Sequence, residues 1–299
     1  MQLDPQVQAV VDEINAIGAD SEPESLWDRP IADVRADFDG LVLGLQDQGP
    51  EVGRVENRDI PGPHGPIPIR IYWPEGANPN TPLPVYINYH GSGYVVLSID
   101  THDNACRALC QGAGCIVVAV SYCKAPEFKF PKPTDESWAS LEWVAANSAE
   151  IGADPTRIAV GGDSAGGCLA AVVAQRAKRE GGPALVFQLL VYPVTDTRED
   201  RPSYKSFGDG YVLTAETMAW FFDCYFNDDA EKSNLAAAPL RADGARCGAR
   251  TCHPLHERQL SRVCPLSTCY TMAAPSRPGD ERRAKRRRRK GIVGRRPAD

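Results

Sequence analysis

The sequence predicts an α/β fold, in which a mainly parallel β-sheet is covered by helices on both faces. Between about residues 50 and 240, strand-like apolar runs alternate with amphipathic stretches of helical period. Such alternation is typical of parallel sheets, because the crossover between parallel strands usually contains a helix. With 42% hydrophobic and 24% charged residues, the composition is that of a globular protein. The 299 residues are long enough for one large domain of this kind.

Two amphipathic helices are predicted ahead of the first strand. Asp4 is a suitable N-cap, Pro5 suits the first helical turn and Gly18 suits the helix exit. Each helix carries an apolar stripe at helical spacing. The stripes are Val7, Val10, Ile14 and Ile17 in the first helix, and Val34, Phe38, Leu41 and Leu45 in the second. We expect residues 1–50 to form a helical cap segment.

The segment 51–240 contains the predicted elements of the core. Strands are expected at 51–60, 67–74, 83–90, 115–122, 157–162 and 184–194. Helices are expected at 103–112, 134–152, 164–182 and 214–226. A turn rich in Pro and Gly, PGPHGP, separates the first two strands. The aromatic content of the last helix favours a cap over a site.

The stretch AVGGDSAGGCLAA (159–171) places a serine at a strand-to-helix corner. Residues 162–166 fit the G-x-S-x-G pattern, in which small neighbours allow a strained turn that exposes the serine hydroxyl. The following helix directs its N-terminus toward the site and so favours a developing negative charge. Ser164 is therefore the candidate nucleophile, and a glycine-rich turn without chemistry is the alternative. Asp163 is expected to be structural, because its side chain should point away from the hydroxyl.

A second candidate element, YHGSGYVVLS (89–98), directly follows a predicted buried strand. A His-Gly-Gly-Gly loop at this place supplies backbone N–H groups to an oxyanion hole, and here Ser92 stands at the middle glycine. We assign to the oxyanion hole His90, Gly91, Ser92, Gly93 and Ala165. The expected donors are the N–H groups of Gly91, Ser92 and Ala165. His90 is expected to anchor the loop rather than to act as the base.

Several ordered motifs resemble the hormone-sensitive-lipase-like (GDXG) branch of the α/β-hydrolases. They are INYHGSGYVVLSIDTHDNACRALC, AVSYCKAPEFKFPKP, IAVGGDSAGGCLAA and FQLLVYPVTD, and the resemblance covers roughly residues 65–240. It implies an α/β-hydrolase fold and hydrolysis of carboxylic esters with short acyl chains. It also implies that the N-terminal helices and helix 214–226 form the cap. The chain departs from the family pattern at Ser92 and at Cys123-Lys124, where Arg-Leu is usual.

A catalytic acid and base are expected after the nucleophile, in the order Ser, then Asp or Glu, then His. The family pattern would add an Asp-Pro-Leu loop and a His-Gly loop, and neither is intact in this chain. The only histidines after Ser164 are His253 and His256. His253 stands where the aspartate of an Asp-Pro-Leu loop would be, and a histidine cannot perform the role of that acid. We therefore expect the catalytic acid and base to be absent from the sequence as written, and His256 becomes the candidate base only if this chain proves active.

The charge of the chain changes sign near residue 240. Residues 1–240 contain 17 basic and 34 acidic residues, whereas residues 241–299 contain 16 basic and 5 acidic residues. Only eight residues of the second segment are Ile, Leu, Val, Met, Phe, Trp or Tyr, which is too few for further buried strands and helices.

Three interpretations of residues 241–299 stay open. In the first, the run RRAKRRRRK (282–290) binds nucleic acid or anionic lipid. In the second, the segment is a solvated tail without structure. In the third, the reading frame of the coding sequence changes near residue 243. We favour the change of frame, because the segment becomes rich in Arg, Cys and Pro where the fold still needs strands. A change of frame predicts that a protein with the sequence as written folds poorly and has weak or no activity.

The sequence thus favours a serine hydrolase that removes a short acyl group, such as acetyl, through a Ser164 acyl-enzyme. The alternatives are an N-acetyl amide hydrolase, as in members of the branch that act in bacterial antibiotic pathways, an inactive ligand-binding relative, and a nucleic-acid-binding protein.

The expected partner is a small acylated substrate, and neither a cofactor nor a metal is expected. The cysteines and histidines between residues 247 and 269 fit no standard zinc spacing. The sequence has no apolar run long enough for a membrane span and no signal-like N-terminus, which predicts a cytoplasmic protein.

Overall fold

The computed structural model describes residues 3–17, 24–78 and 80–242, together with the backbone of residues 251–254. The strands of this part of the chain are β1 Arg54–Ile60, β2 Ile67–Trp73, β3 Leu83–Tyr89, β4 Ile116–Val120, β5 Ala153–Asp163, β6 Leu185–Val191 and β7 Thr251–Pro254. Its α-helices are α1 Pro5–Ile17, α2 Ile31–Gly44, α3 Asp103–Ala113, α4 Lys132–Ala146, α5 Ser164–Glu180, α6 Pro202–Phe207 and α7 Ala215–Tyr225. All the predicted strands and helices are present, and the short helix α6 is additional.

The strands form one sheet in the order β1-β2-β4-β3-β5-β6-β7. β1 and β2 form an antiparallel hairpin across the Pro/Gly turn, and β2 is antiparallel to β4. Every other neighbouring pair is parallel. The prediction of a mainly parallel sheet is confirmed, and β5, which carries the serine corner at its end, lies between β3 and β6.

Helices cover both faces of the sheet, as the burial of β4 illustrates. All five of its residues are buried, so neither face of this strand meets water. Val117 and Ala119 belong to one apolar cluster together with Cys106 and Cys110 of α3. Ile116, Val118 and Val120 belong to the other cluster, which includes residues of α4, α5 and α7. The expected arrangement of helices on both sides is confirmed.

Helix α2 and the turn before it lie beside α7. The ring of Phe38 on α2 packs against the ring of Phe221 on α7, with 6.0 Å between centroids. Trp27 donates its indole N–H to Asp223 at 3.0 Å. Asp4 accepts the backbone N–H of Gln6 at 2.9 Å, as expected of an N-cap. The contacts of Phe38 and Trp27 join α2 and the turn before it to α7, so parts of both segments that the sequence assigns to a cap lie together.

The C-terminal segment differs from the expectation in one respect. The sequence predicts no strand beyond about residue 240, whereas the backbone of Thr251–Pro254 pairs in parallel with β6. An edge strand can be joined through backbone hydrogen bonds alone, which do not require the apolar residues that this segment lacks.

His256 and the basic run 282–290 lie outside the described residues. Among the described helices, none combines the length and apolarity needed to cross a membrane.

Candidate active site

Ser164 occupies the corner between β5 and α5. Its φ is 51°, a left-handed conformation that costs a residue with a Cβ free energy and that often marks functional sites. The turn is possible because the residues two positions before and two positions after the serine are glycines. A Cβ on Gly162 or on Gly166 would overlap the carbonyl oxygen of Tyr89 at the end of β3. The close approach of β3 thus requires glycine at both positions and holds the corner in its strained conformation.

The Ser164 side chain is half-buried, and its hydroxyl has no hydrogen-bond partner among the described residues. Ala165 follows in the first turn of α5, where backbone N–H groups have no partner within the helix. The positive end of the helix dipole lies at the same place. The corner therefore places a free hydroxyl beside a free N–H group in a region that favours negative charge.

The loop His90–Gly93 follows β3 and lies against the corner. The N–H of Gly91 donates to Asp163 Oδ1 at 2.8 Å, so this N–H is not free to meet a substrate. The N–H groups of Ser92 and Gly93 have no acceptor among the described residues. Gly93 has a φ of 53°, and a Cβ there would overlap the ring of Phe221. The geometry thus favours Ser92 and Gly93 over Gly91 as donors from this loop.

The side chain of Ser92 forms hydrogen bonds that hold the loop in place. Its hydroxyl accepts the Tyr94 N–H at 2.7 Å and lies 2.6 Å from the hydroxyl of Tyr122. The Tyr122 hydroxyl in turn donates to the backbone carbonyl of His90 at 2.6 Å. A side chain at this position therefore adds two links that a glycine would lack, and they fix the loop in the conformation that exposes its N–H groups.

His90 lies under the loop and does not face the serine hydroxyl. Its ring stacks on Tyr122 with 4.6 Å between centroids, and its Nδ1 lies 3.0 Å from the carbonyl of Gly91. Because a carbonyl only accepts, Nδ1 is the protonated nitrogen. Burial lowers the pKa of His90 to about 3, so the ring is neutral at ordinary pH. These contacts agree with the expectation that His90 anchors the loop.

Asp163 connects the loop to a second histidine, His102. The His102 Nε2 atom lies 3.4 Å from Asp163 Oδ1, and both side chains are largely buried. Burial opposes ionisation of Asp163, but the charge and hydrogen bond of His102 outweigh it, so the pKa of Asp163 lies below its ordinary value. Burial likewise opposes protonation of His102, and Asp163 outweighs it, so the pKa of His102 is raised.

His102 is the residue that the sequence reasoning missed. It directly precedes α3, 61 residues before its partner, and no local pattern connects the two. The Asp163 side chain points toward the loop and His102, which agrees with the structural role predicted for it. The only available signal was the histidine itself, one of five in the chain.

Two cavities meet at Ser164. The smaller, of about 140 Å³, is bounded by the loop Gly91–Gly93 and by apolar side chains that include Phe38, Leu97 and Phe221. The larger, of about 280 Å³, lies beyond the end of β6. Both are lined by Ser164, Val194, Leu213 and Met218. An ester whose carbonyl carbon meets Ser164 can therefore extend one part into each cavity.

The histidines with described side chains have other partners. His64 lies 3.6 Å from Asp135, while His90 and His102 have the contacts given above. None of them has a hydrogen bond to Ser164. His253 belongs to β7, of which only the backbone is described, and His256 lies outside the described residues. The proposed base is thus not among the side chains that the structure describes.

A serine at positive φ between a central parallel strand and a helix, facing a glycine-containing loop, defines the α/β-hydrolase class. A family model for the α/β hydrolase fold matches residues 86–290. Because this is more than half of the chain, the protein belongs to that family.

Known esterases are similar to this chain. The esterase LipI of Mycobacterium tuberculosis is 44% identical over 202 residues, which are 67% of this chain and 63% of the relative. Ethyl acetate hydrolase of Pseudomonas putida is 37% identical over 65% of this chain and 64% of the relative. The chain thus spans less than two thirds of the length of either relative. A solved esterase from Pyrobaculum calidifontis superposes with a TM-score of 0.75 at 35% identity, covering 81% of this chain and 76% of that one.

Proposed function

We propose that the protein is a serine hydrolase that removes a short acyl group from a small carboxylic ester, with Ser164 as the nucleophile. The observation that carries the proposal is the Ser164 hydroxyl, held at a φ of 51° beside backbone N–H groups that have no acceptor among the described residues. The names of the similar proteins, an esterase and an ethyl acetate hydrolase, support the same reaction class.

In this proposal Ser164 Oγ attacks the acyl carbonyl carbon and loses its proton to a base. The carbonyl oxygen becomes an oxyanion that accepts hydrogen bonds from the N–H groups of Ser92, Gly93 and Ala165, each worth about 3–4 kcal/mol in the transition state. Collapse of the intermediate releases the alcohol, which takes the proton, and leaves an ester of Ser164. Water then adds to this ester and releases the carboxylic acid. His256 is the proposed base.

The smaller cavity supports a short acyl group. Its volume of about 140 Å³ lies well below the ~300–1,000 Å³ of ordinary ligand pockets. It adjoins the loop that provides two of the proposed donors, so it is the acyl side of the site. The larger cavity is then the leaving-group side. Acetyl and similar acyl groups fit this division.

The proposal is tested by trapping the acyl-enzyme. The full chain is incubated with p-nitrophenyl acetate, quenched and digested, and each serine peptide is examined by mass spectrometry for an added acetyl group. We expect acetyl on Ser164 and none at that peptide in Ser164→Ala. The matched control is Ser233→Ala, which changes an exposed serine and should leave acetylation of Ser164 intact. Acetyl groups spread equally over exposed serines, with none enriched at Ser164, would contradict the proposal.

A ligand-binding protein without catalysis is the second candidate, because none of the described histidines contacts Ser164. That function predicts that acetyl esters bind while Ser164 stays unmodified. The same experiment separates the two. A parallel incubation uses N-acetyl-p-nitroaniline, the matching amide. Both substrates would give the same acetyl-enzyme, so an ester hydrolase is acetylated on Ser164 only by the ester, and an amide hydrolase also by the amide.

A further inference from the structure

A cluster of three arginines around one aspartate forms part of the larger cavity. Asp196 is contacted by Arg198 at 2.8 Å, by Arg241 at 3.0 Å, and also by Arg201. Asp196, Arg198 and Arg201 line the cavity that also contains Ser164. We call these four residues the Asp196 cluster.

The positive charges of the cluster exceed the negative ones. Burial opposes ionisation of Asp196, but hydrogen bonds from the three arginines outweigh it and hold its pKa well below the ordinary range. One carboxylate balances one guanidinium, so two positive charges remain. The neighbouring acidic residues Glu199 and Asp200 are exposed and do not line the cavity. Among the charged residues that line it, the arginines are in excess.

Arg201 also has an unused donor. Its Nε atom is buried and has no hydrogen-bond partner among the described residues, although its Nη2 atom bonds to Asp196. A buried N–H without an acceptor is costly, and native proteins rarely leave one unless a ligand or water meets it. The Nε atom is itself shielded from solvent, so the excess of arginines in the cavity lining is the observation that indicates a missing anion.

We propose that Arg201, assisted by Arg198, binds a carboxylate carried by the leaving group of the substrate. The inference rests on the proposed function, since it assigns the leaving group to the larger cavity. The planar guanidinium suits a carboxylate, because two parallel N–H donors can meet its two oxygens. The acyl cavity has no basic residue in its lining, so the charged end of the substrate is directed away from it.

The acidic charge of residues 1–240 gives such a device a purpose. Residues 1–240 carry 34 acidic and 17 basic residues, and a surface of that sign repels an anionic substrate. Arginines in excess inside the cavity reverse the local potential where the substrate binds.

The test measures binding without turnover. Ser164→Ala in the full chain is titrated by calorimetry with 4-acetoxybenzoate and with 4-acetoxybenzamide, which has nearly the same shape and no charge. We expect the anionic ligand to bind about tenfold more tightly at low ionic strength. Adding Arg201→Gln should bring the two affinities close together, while Arg201→Lys should keep part of the preference. Arg198→Gln should reduce the preference without removing it. The control is Arg179→Gln, which changes an arginine at the end of α5 that does not line the cavity.

The affinity for the neutral benzamide shows whether each variant is folded. Equal affinities of the parent for the two ligands, failure of the anion to bind, or an unchanged preference in Arg201→Gln would each overturn the proposal. Its outcome is separate from that of the proposed function. A strong preference for the anion together with an unmodified Ser164 in the acetylation experiment would support the anion site and contradict the proposed hydrolase function.

Discussion

The two sides of Ser164 differ in how their polar groups are satisfied. On the acyl side, the loop Gly91–Gly93 is held by hydrogen bonds to Asp163 and Tyr122 and by one from the Tyr94 N–H. On the leaving-group side, three arginines share the single carboxylate of Asp196, and the buried Arg201 Nε has no acceptor among the described residues. The acyl side fixes the conformation of its loop without a ligand and leaves the N–H groups of Ser92 and Gly93 free for the oxyanion, whereas the leaving-group side has excess positive charge that a ligand would balance.

The difference matches what each side has to do in an acyl transfer. An oxyanion exists only briefly, so its donors must be fixed in advance by the protein. A substrate group that is charged from the outset can instead complete a set of donors when it binds. We therefore expect mutations on the acyl side to change folding and reactivity, and mutations on the leaving-group side to change substrate preference. The following predictions test the acyl side, from the largest effect to the smallest.

The largest effect is expected from Gly166→Ala. A Cβ at this position would overlap the carbonyl oxygens of Tyr89 and His90, and backbone atoms of a central strand cannot move aside. We expect the free energy of unfolding to fall by about 3 kcal/mol or more, measured by chemical denaturation. Gly112→Ala on α3 is the matched control, because nothing lies within 4 Å of a Cβ there. It should be neutral or stabilise by up to about 1 kcal/mol, and equal effects of the two substitutions would contradict the close packing of the corner.

Asp163→Ala should have the next largest effect. It removes the acceptor of the Gly91 N–H and the partner of His102, so we expect a loss of about 1–3 kcal/mol in the free energy of unfolding. The freed loop should also slow acetylation of Ser164. Asp163→Asn retains an acceptor oxygen and should lose less on both measures. If Asp163→Ala changed neither stability nor acetylation, Asp163 would not be the anchor of the loop.

The pair of Asp163 and His102 should make stability depend on pH. The raised pKa of His102 means that its contribution is present below the unfolded value of about 6.5 and is lost as the pH rises through the folded value. The lowered pKa of Asp163 means that its contribution is present above about 3.9 and is lost as the pH falls through the folded value. The advantage of the wild type over His102→Gln should therefore be greatest between about pH 4 and 6.5.

The control for this pH dependence is a double-mutant cycle. In the Asp163→Asn background, the advantage of His102 over Gln below about pH 6.5 should disappear, because burial then opposes protonation of His102 without the charge of Asp163 to offset it. A wild-type advantage that grew steadily above pH 7 would have the opposite sign and would refute the pairing.

The fold was predictable from the sequence to a greater extent than the site. The strand β4 could be located because a strand buried on both faces is a continuous apolar run, and four of its five residues are β-branched. Ser164 could be located because the strained corner requires glycines at fixed offsets. His102 could not be, because its contact with Asp163 spans 61 residues and depends on how α3 packs. The Asp196 cluster was likewise invisible, since Arg241 reaches Asp196 from 45 residues further along the chain.

Ser92→Gly should have the smallest effect, because it restores the glycine that the family pattern has at this place. The change removes the acceptor of the Tyr94 N–H and one partner of Tyr122, while the bond from Tyr122 to the His90 carbonyl can remain. The φ of Ser92 is not in the left-handed region, so serine is unstrained and glycine brings no relief. We expect a loss of about 1 kcal/mol in the free energy of unfolding and less than about a tenfold change in acetylation of Ser164, since the N–H stays. Ser92→Ala separates the causes: a similar loss assigns it to the hydroxyl, and a much smaller one assigns it to the added backbone freedom of glycine.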